Sequence, residues 1–387
     1  MTFSLPGPPF VPPSGASPAA AALVPEFPRT PRRLREITAP PAHPLALARY
    51  QSPLRYPGAK SGLGRHIKTL VDGAGTLLGR PDLFVEPFVG GASMALRLVG
   101  AGSVARVLLA DADPLVAAFW QTAAADTDWL IDRMHEEPVT LDRWDYWRHR
   151  PTARLGRKEA AVKCLFLNRT TFSGILQGRA GPVGGRKQAG RYRIDSRFNK
   201  NGLEARLRFV GHLYDRGHIA DVWCKDWSAT MSDVTEWYPG LLPNRVMAYL
   251  DPPYLTNSPR LYTVSFDPAG GYAPGPRGIT GRAWTEGAAH YRLAHYLRTA
   301  CPFRWILSYD HQPELTNDFL LYKAHRMTPC AEDRRALGLR TWRISKRLVS
   351  LRYTASSSRS RTTADELLLT TLPPRCVPAN SELRCMT

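Results

Sequence analysis

Leu83-Phe84-Val85-Glu86-Pro87-Phe88-Val89-Gly90-Gly91-Ala92 begins as a short apolar run, breaks at a proline and turns through a glycine pair. The Ala92–Val99 stretch that follows has the composition of a helix. A strand that passes through a tight glycine turn into a helix brings backbone close to a ligand and aims free helix amides at it. Working outward, Val104–Ala110 is the next predicted strand, and it closes on Asp111. An acid about twenty residues past such a turn, at a strand end, is placed to accept hydrogen bonds from both hydroxyls of a ribose. A glycine pair alone is more often a structural turn, but strand, loop, helix, strand and terminal acid together point to a nucleoside-containing cofactor. Neither G-x-x-x-x-G-K-[ST] nor G-x-G-x-x-G occurs, so a phosphate-binding loop is the weaker reading.

Further along, Val246-Met247-Ala248-Tyr249-Leu250 reads as a buried strand and runs into Asp251-Pro252-Pro253-Tyr254. Asp-Pro and Pro-Pro are common in surface turns. Here the preceding strand and the upstream loop favour a reactive site. The exocyclic amine of a nucleic-acid base is a poor nucleophile because its lone pair is delocalised into the ring. Acceptors that hold its protons out of plane correct this, and Asp251 with the free carbonyl of Pro252 supplies two, stiffened in advance by the prolines. Tyr254 offers a face on which a base rotated out of a duplex can stack.

Alternation of strand and helix resumes after this point, with a helix predicted at Ala288–Ala300 and a strand at Arg304–Ser308. Leu348–Tyr353 and Glu366–Thr370 are expected to close the sheet as an antiparallel pair. The implied fold is α/β, with a doubly wound catalytic domain formed by residues 49–120 and 241–370. Residues 121–240 show no βαβ alternation and read as an inserted, mainly helical unit. Residues 1–48, dense in Pro and Ala, are expected to be a disordered arm, and residues 371–387 a disordered tail. In the arm, the cluster from Arg29 to Arg35 reads as a solvated charge run before a phosphate contact.

The 387 residues carry 52 Lys+Arg against 33 Asp+Glu, a formal charge of +19 that favours a polyanionic partner, nucleic acid first. Cys164, Cys224, Cys301, Cys330, Cys376 and Cys385 are scattered, with no CxxC pair and no histidine at zinc-ligand spacing, so no metal is expected. No apolar run approaches the roughly 20 residues of a membrane span, and the cytoplasm is the expected compartment.

On these residues the chain resembles the alpha-group N6-adenine DNA methyltransferases, the Dam-type enzymes. The resemblance rests on Arg55–Lys60, Phe84–Ala92, Ala110–Asp113, Leu167–Gly174, Asp251–Tyr254, Ser308–His311 and Asp365–Leu367, in that order. It implies a Rossmann-like S-adenosylmethionine-dependent methyltransferase sheet with an inserted target-recognition domain, and double-stranded DNA as partner. Tyr56, Lys60, Gly90, Asp111, Asp226 and Asp251 fall at cofactor positions, and Asp251, Pro252 and Tyr254 at catalytic ones. Within the insertion, Asn168, Arg169, Arg191, Arg197 and Asn199 fall in the DNA-reading unit, although the Arg179–Arg208 stretch equally suits contacts to phosphates.

Three positions depart from the family pattern. Tyr56 replaces a frequent tryptophan, and Ala59 and Ala92 stand where glycine is usual, adding methyl groups beside the cofactor. The segment after Arg169 departs too, so the GATC target is not carried over. The same acceptor geometry also serves N4-cytosine methylation in DNA or adenine methylation in RNA. A catalytically weak DNA-binding relative, and a methyltransferase for small molecules or proteins, are further alternatives. Motif order, the intact Asp251–Tyr254 and the basic insertion disfavour them.

Overall fold

The computed structural model describes residues 34–48, 51–55, 62–176, 180–253, 282–311, 344–352, 363–377 and 384–385. Its centre is a sheet of order β3-β2-β1-β4-β5-β7-β6-β8. The strands are β1 (Leu83–Glu86), β2 (Arg106–Asp111), β3 (Ile219–Cys224), β4 (Val246–Leu250), β5 (Arg304–Asp310), β6 (Ser345–Arg352), β7 (Thr363–Thr370) and the two-residue β8 (Arg384–Cys385). Strands β1 to β5 are parallel, and β7, β6 and β8 add an antiparallel edge.

The described helices are α1 (Gly64–Leu78), α2 (Ser93–Gly100), α3 (Pro114–Ala125), α4 (Thr127–Glu136), α5 (Leu141–His149), α6 (Arg157–Thr170), α7 (Lys200–Asp215), α8 (Trp227–Trp237) and α9 (Arg282–Thr299). They cover both faces of the sheet, as parallel strands require. Phe84, Val107, Leu109, Met247, Tyr249 and Ile306 belong to the core on one face. Their sequence neighbours Val85, Leu108, Ala110, Ala248, Leu250 and Leu307 belong to the core on the other. Alternate residues therefore face opposite layers, and β4 throughout and β1 up to its terminal Glu86 are apolar because neither face meets water.

The doubly wound sheet and its antiparallel closing pair agree with expectation, and three boundaries change. Strand β3 lies inside the stretch expected to be purely inserted. It pairs in parallel with β2, so the extra helices α4 to α7 sit within the β2–β3 crossover, and β3 and α8 belong to the sheet layer. As an edge strand β3 is only partly buried and carries Asp221 in mid-run, which masks its pattern.

Residues 34–48 of the expected arm dock on the core. Arg106 Nη2 donates to Arg35 O at 3.0 Å, His218 Nε2 lies 2.9 Å from Ala39 O, and Ala46 is buried. The Arg35 guanidinium sits over the Tyr214 ring at 4.4 Å and donates to Tyr214 O. Prolines deny the arm secondary structure but not these backbone acceptors. The expected C-terminal tail is also anchored: Leu372 and Cys376 are buried, and β8 pairs with β6.

The tail is held at one contact that admits no side chain. A Cβ at Gly73, on α1, would lie 2.1 Å from Cys376 O. We predict that Gly73→Ala detaches the 373–377 turn. The clash costs about 1–3 kcal/mol, against a helix-propensity gain of about 1 kcal/mol. Chemical denaturation should show a net loss, and limited proteolysis faster clipping near residue 377; unchanged stability would contradict the contact.

Candidate active site

The carboxyl ends of the five parallel strands form one edge, and each delivers a polar residue to it. β3 ends next to Asp226, β2 at Asp111, β1 at Glu86 and β4 next to Asp251, while Ser308 lies within the last turn of β5. Between β1 and β4 the chain's connections diverge to opposite sides of the sheet, and a crevice opens at such a switch point. The glycine loop after β1 and the Asp-Pro-Pro after β4 therefore converge there, although more than 150 residues separate them in sequence.

On the β1 side, Gly90 N donates to Asp111 Oδ2 and Asp113 N donates to Asp111 Oδ1, both at 2.9 Å. The acid that closes β2 thus holds the glycine loop. Ala112 N bonds the carboxylate as well, and its two oxygens together still keep capacity for a hydroxyl. Burial, reinforced by the charge of Asp113, pushes Asp111 up to about 7. The Gly90 carbonyl accepts from Trp120 Nε1 of α3 at 2.8 Å, so the loop is braced on both sides. Gly90 and Ala92 both take positive φ, 41° and 49°. Glu86 is buried. Its Oε1 accepts from Ala95 N at 2.9 Å, and its Oε2 has no protein partner among the described residues. Burial and then the nearby Asp251 push the Glu86 carboxyl well above the usual carboxylate range, against the opposing bond from Ala95.

On the β4 side, Ser308 Oγ donates to Asp251 Oδ1 at 3.0 Å and lies 2.9 Å from the Tyr249 hydroxyl. Pro252 and Pro253 are buried, which fixes the turn. Tyr254 lies outside the described residues, as do Tyr56, Ala59 and Lys60. Asp226 caps α8, accepting from Ala229 N at 2.9 Å, and so stands at the end of β3 beside Asp111's strand.

The five expected DNA-reading residues divide. Asn168 and Arg169 face inward, 1% and 5% exposed. Asn168 accepts from Arg55 N at 2.6 Å and donates to Arg55 O and Gly174 O, while Arg169 Nε donates to Pro53 O at 2.7 Å. In place of the expected base contacts, the bonds seen at these two side chains tie α6 to the segment that precedes Tyr56. Asn199 caps α7 through Gly202 N, and Arg191 and Arg197 lie on the surface of the inserted unit, Arg191 exposed and Arg197 partly so.

Arg169 also reveals a charge imbalance. Its Nη2 is buried without a partner among the described residues, and burial together with Arg206, Arg55 and Arg197 pulls its pKa down to about 9. Burial and Arg55 also lower Arg197 and Arg206. Among the described residues no carboxylate pairs with Arg55, Arg197 or Arg206. A cluster of cations without acids is an anion site by simple electrostatics. Nearby loops present Phe172 and Tyr192, 57% and 65% exposed.

Sequence patterns missed Glu86, Tyr249, Ser308, Arg55 and Arg206. Glu86 had one signal, an acid ending an otherwise apolar strand. The others are ordinary residues until the sheet and the crossover bring them together.

A family model described as D12 class N6 adenine-specific DNA methyltransferase matches residues 56–300, which span the glycine loop, the inserted unit and Asp251–Tyr254. A search of curated proteins returns no match. Among the described residues no helix is long and apolar enough to cross a membrane, and no group of three or more His, Cys, Asp or Glu is placed to hold a metal.

The left-handed backbone at Ala92 bears on the glycine that the resemblance places there. Substitution by glycine removes about 1–2 kcal/mol of steric cost. It also loosens the unfolded chain by about 0.4–1 kcal/mol and leaves a methyl-sized void costing about 1 kcal/mol. Ala92→Gly is therefore predicted to be neutral within about 1 kcal/mol, and Ala92→Val, overpacked at a fully buried site, to lose about 1–3 kcal/mol. Thermal unfolding of both variants checks this, and a large gain in the glycine variant would show that the alanine impairs the loop.

Proposed function

The chain belongs to the D12 class of N6 adenine-specific DNA methyltransferases, and on that premise we propose that Asp251, Pro252 and Tyr254 hold the target adenine of duplex DNA. In the same reading Tyr56, Lys60, Gly90, Asp111, Asp226 and Asp251 surround S-adenosylmethionine. The enzyme is an adenine-specific DNA methyltransferase, and nothing in the family match favours cytosine, RNA or loss of activity. Methyltransferases of this kind draw on S-adenosylmethionine. The observation that carries the residue assignment is the convergence of Asp251 and the Gly90 loop at the switch point between β1 and β4.

The residues present fit the cofactor. Asp111 is a strand-end acid with unfilled acceptor positions, and the loop it holds has no side chain at Gly90 to keep a ligand off the backbone. Bound there, S-adenosylmethionine supplies a methyl carbon already activated by its sulfonium, so the protein's task is alignment. Asp251 accepts one N–H of the adenine amine and the Pro252 carbonyl accepts the other. The amine is thereby drawn out of conjugation and its lone pair is aimed at the carbon. With the cofactor bound, the amine nitrogen would take the methyl group in place of the sulfonium sulfur, and Asp251 would accept the proton the nitrogen sheds and pass it to water. Tyr254 stacks on the extruded base and offsets part of the stacking it loses in the duplex. Cytoplasmic DNA is the substrate in this reading.

DNA is held by the inserted unit. Arg55, Arg169, Arg197 and Arg206 form the phosphate-binding cluster. In the same reading Arg191 and Asn199, exposed on that unit, meet base edges, and Asn168 acts as a brace.

Two experiments test this. Asp251→Ala should lower tritiated-methyl incorporation into duplex DNA at least about 10³-fold while duplex affinity stays within a few-fold; substantial incorporation would refute the mechanism. Arg206→Ala should weaken duplexes of any sequence alike and reduce the slope of log affinity against log salt by about 0.9. A changed sequence preference at constant slope would instead make Arg206 a base reader.

A further inference from the structure

The proposed chemistry depends on how the Asp251 carboxylate is held, since a terminal carboxyl torsion is soft and broad unless a partner fixes it. Strand register supplies that partner. Leu250 lies opposite Leu307, so the next positions along, Asp251 and Ser308, are side by side. By alternation they share a face with Glu86, Tyr249 and Glu366. Ser308 is fully buried and Tyr249 nearly so.

The direction of the hydrogen bonds follows from counting protons. An ionised carboxylate only accepts, and a serine hydroxyl carries one proton. Ser308 Oγ, 3.0 Å from Asp251 Oδ1, must donate to it. The contact of 2.9 Å to Tyr249 is then one in which the phenol donates and Ser308 accepts. Burial, and then the charge of Asp251, pushes the Tyr249 phenol well above its ordinary range, so its proton is present at any working pH. The chain Tyr249 to Ser308 to Asp251 thus runs one way, and each donor strengthens the next. Glu86, on the same face, interacts unfavourably with a charge at Asp251, and the hydroxyl chain brings positive hydrogen-bond density to offset it.

We infer that Ser308, oriented by Tyr249, is a positioning residue for methyl transfer, holding the Asp251 carboxylate in its accepting geometry before the adenine arrives. This rests on the role proposed for Asp251. A buried serine and tyrosine could merely satisfy each other, but a pair of that kind would not end on the carboxylate that the reaction uses.

The test is a double-mutant cycle on the full-length enzyme, with kcat measured on duplex DNA at saturating S-adenosylmethionine. Ser308→Ala should lower kcat about 10- to 100-fold, with duplex affinity and melting temperature close to wild type. Tyr249→Phe should lower kcat by a smaller factor, and should lower it no further in the Ser308→Ala background, because Tyr249 acts only through Ser308. Unchanged kcat in Ser308→Ala, or single effects that multiply, overturns the proposal. If Ser308→Ala fails to fold, Tyr249→Phe decides alone: a kcat loss in a normally melting protein supports the chain, and full kcat overturns it. Asp251→Ala run in parallel separates the two readings. Its inactivity alongside an active Ser308→Ala removes only the positioning role, whereas its own activity removes the mechanism.

Discussion

The parallel pairing of β1 with β4, which sets Leu83 against Val246 and Val85 against Ala248, brings the two halves of the site together. The strands are buried on both faces, so a slip of one residue would turn Phe84 and Met247 into the wrong layer and expose the alternation to both cores at once. That penalty pins the carboxyl ends of the two strands level. The Gly90 loop and the Asp251 turn then meet without contact between their own side chains having to hold them.

Around this junction the protein separates its charges. Acids collect at the sheet edge, where Glu86, Asp111 and Asp251 lie on adjacent strands and burial drives the first two above their usual range. Arginines collect at the inserted unit, where Arg169 is buried among Arg55, Arg197 and Arg206. Neither arrangement favours the unliganded fold. Like charges held together and a buried guanidinium nitrogen without an acceptor reduce stability. A ligand with hydroxyls and cationic character relieves the first, and a phosphate backbone relieves the second. The costs thus fall where the proposed binding partners act.

The insertion is joined to the cofactor side by backbone bonds rather than by apolar packing alone. Asn168 grips both the N–H and the carbonyl of Arg55, and Arg169 grips Pro53, so α6 and the segment entering Tyr56 move as one piece. The proposed DNA surface is thereby coupled to the chain entering the proposed cofactor segment. This accounts for a buried polar pair in a helix whose neighbours in the core are aliphatic and aromatic.

Local chemistry in the sequence was enough for residues whose meaning depends on the strand they end. Asp111 and Asp251 follow apolar runs, and such a run with a glycine or proline turn states both the strand and where it ends. It was not enough where side-chain direction or strand partner decides the role. Asn168 and Arg169 have the composition of base readers, yet α6 turns them inward. β3 carries Asp221 because an edge strand tolerates it, and so hid among helices. Ser308 opens a stretch that carries the resemblance and Tyr249 ends no motif, yet neither showed its role, and they became a directed hydrogen-bond chain only through the β4–β5 register. The sequence alone thus determined the strand-end acids, the turn chemistry and the basic excess, all local properties of the chain. Tertiary structure alone decided which distant groups share a face and which charges go unpaired, because both depend on strand order and burial, which no local pattern encodes.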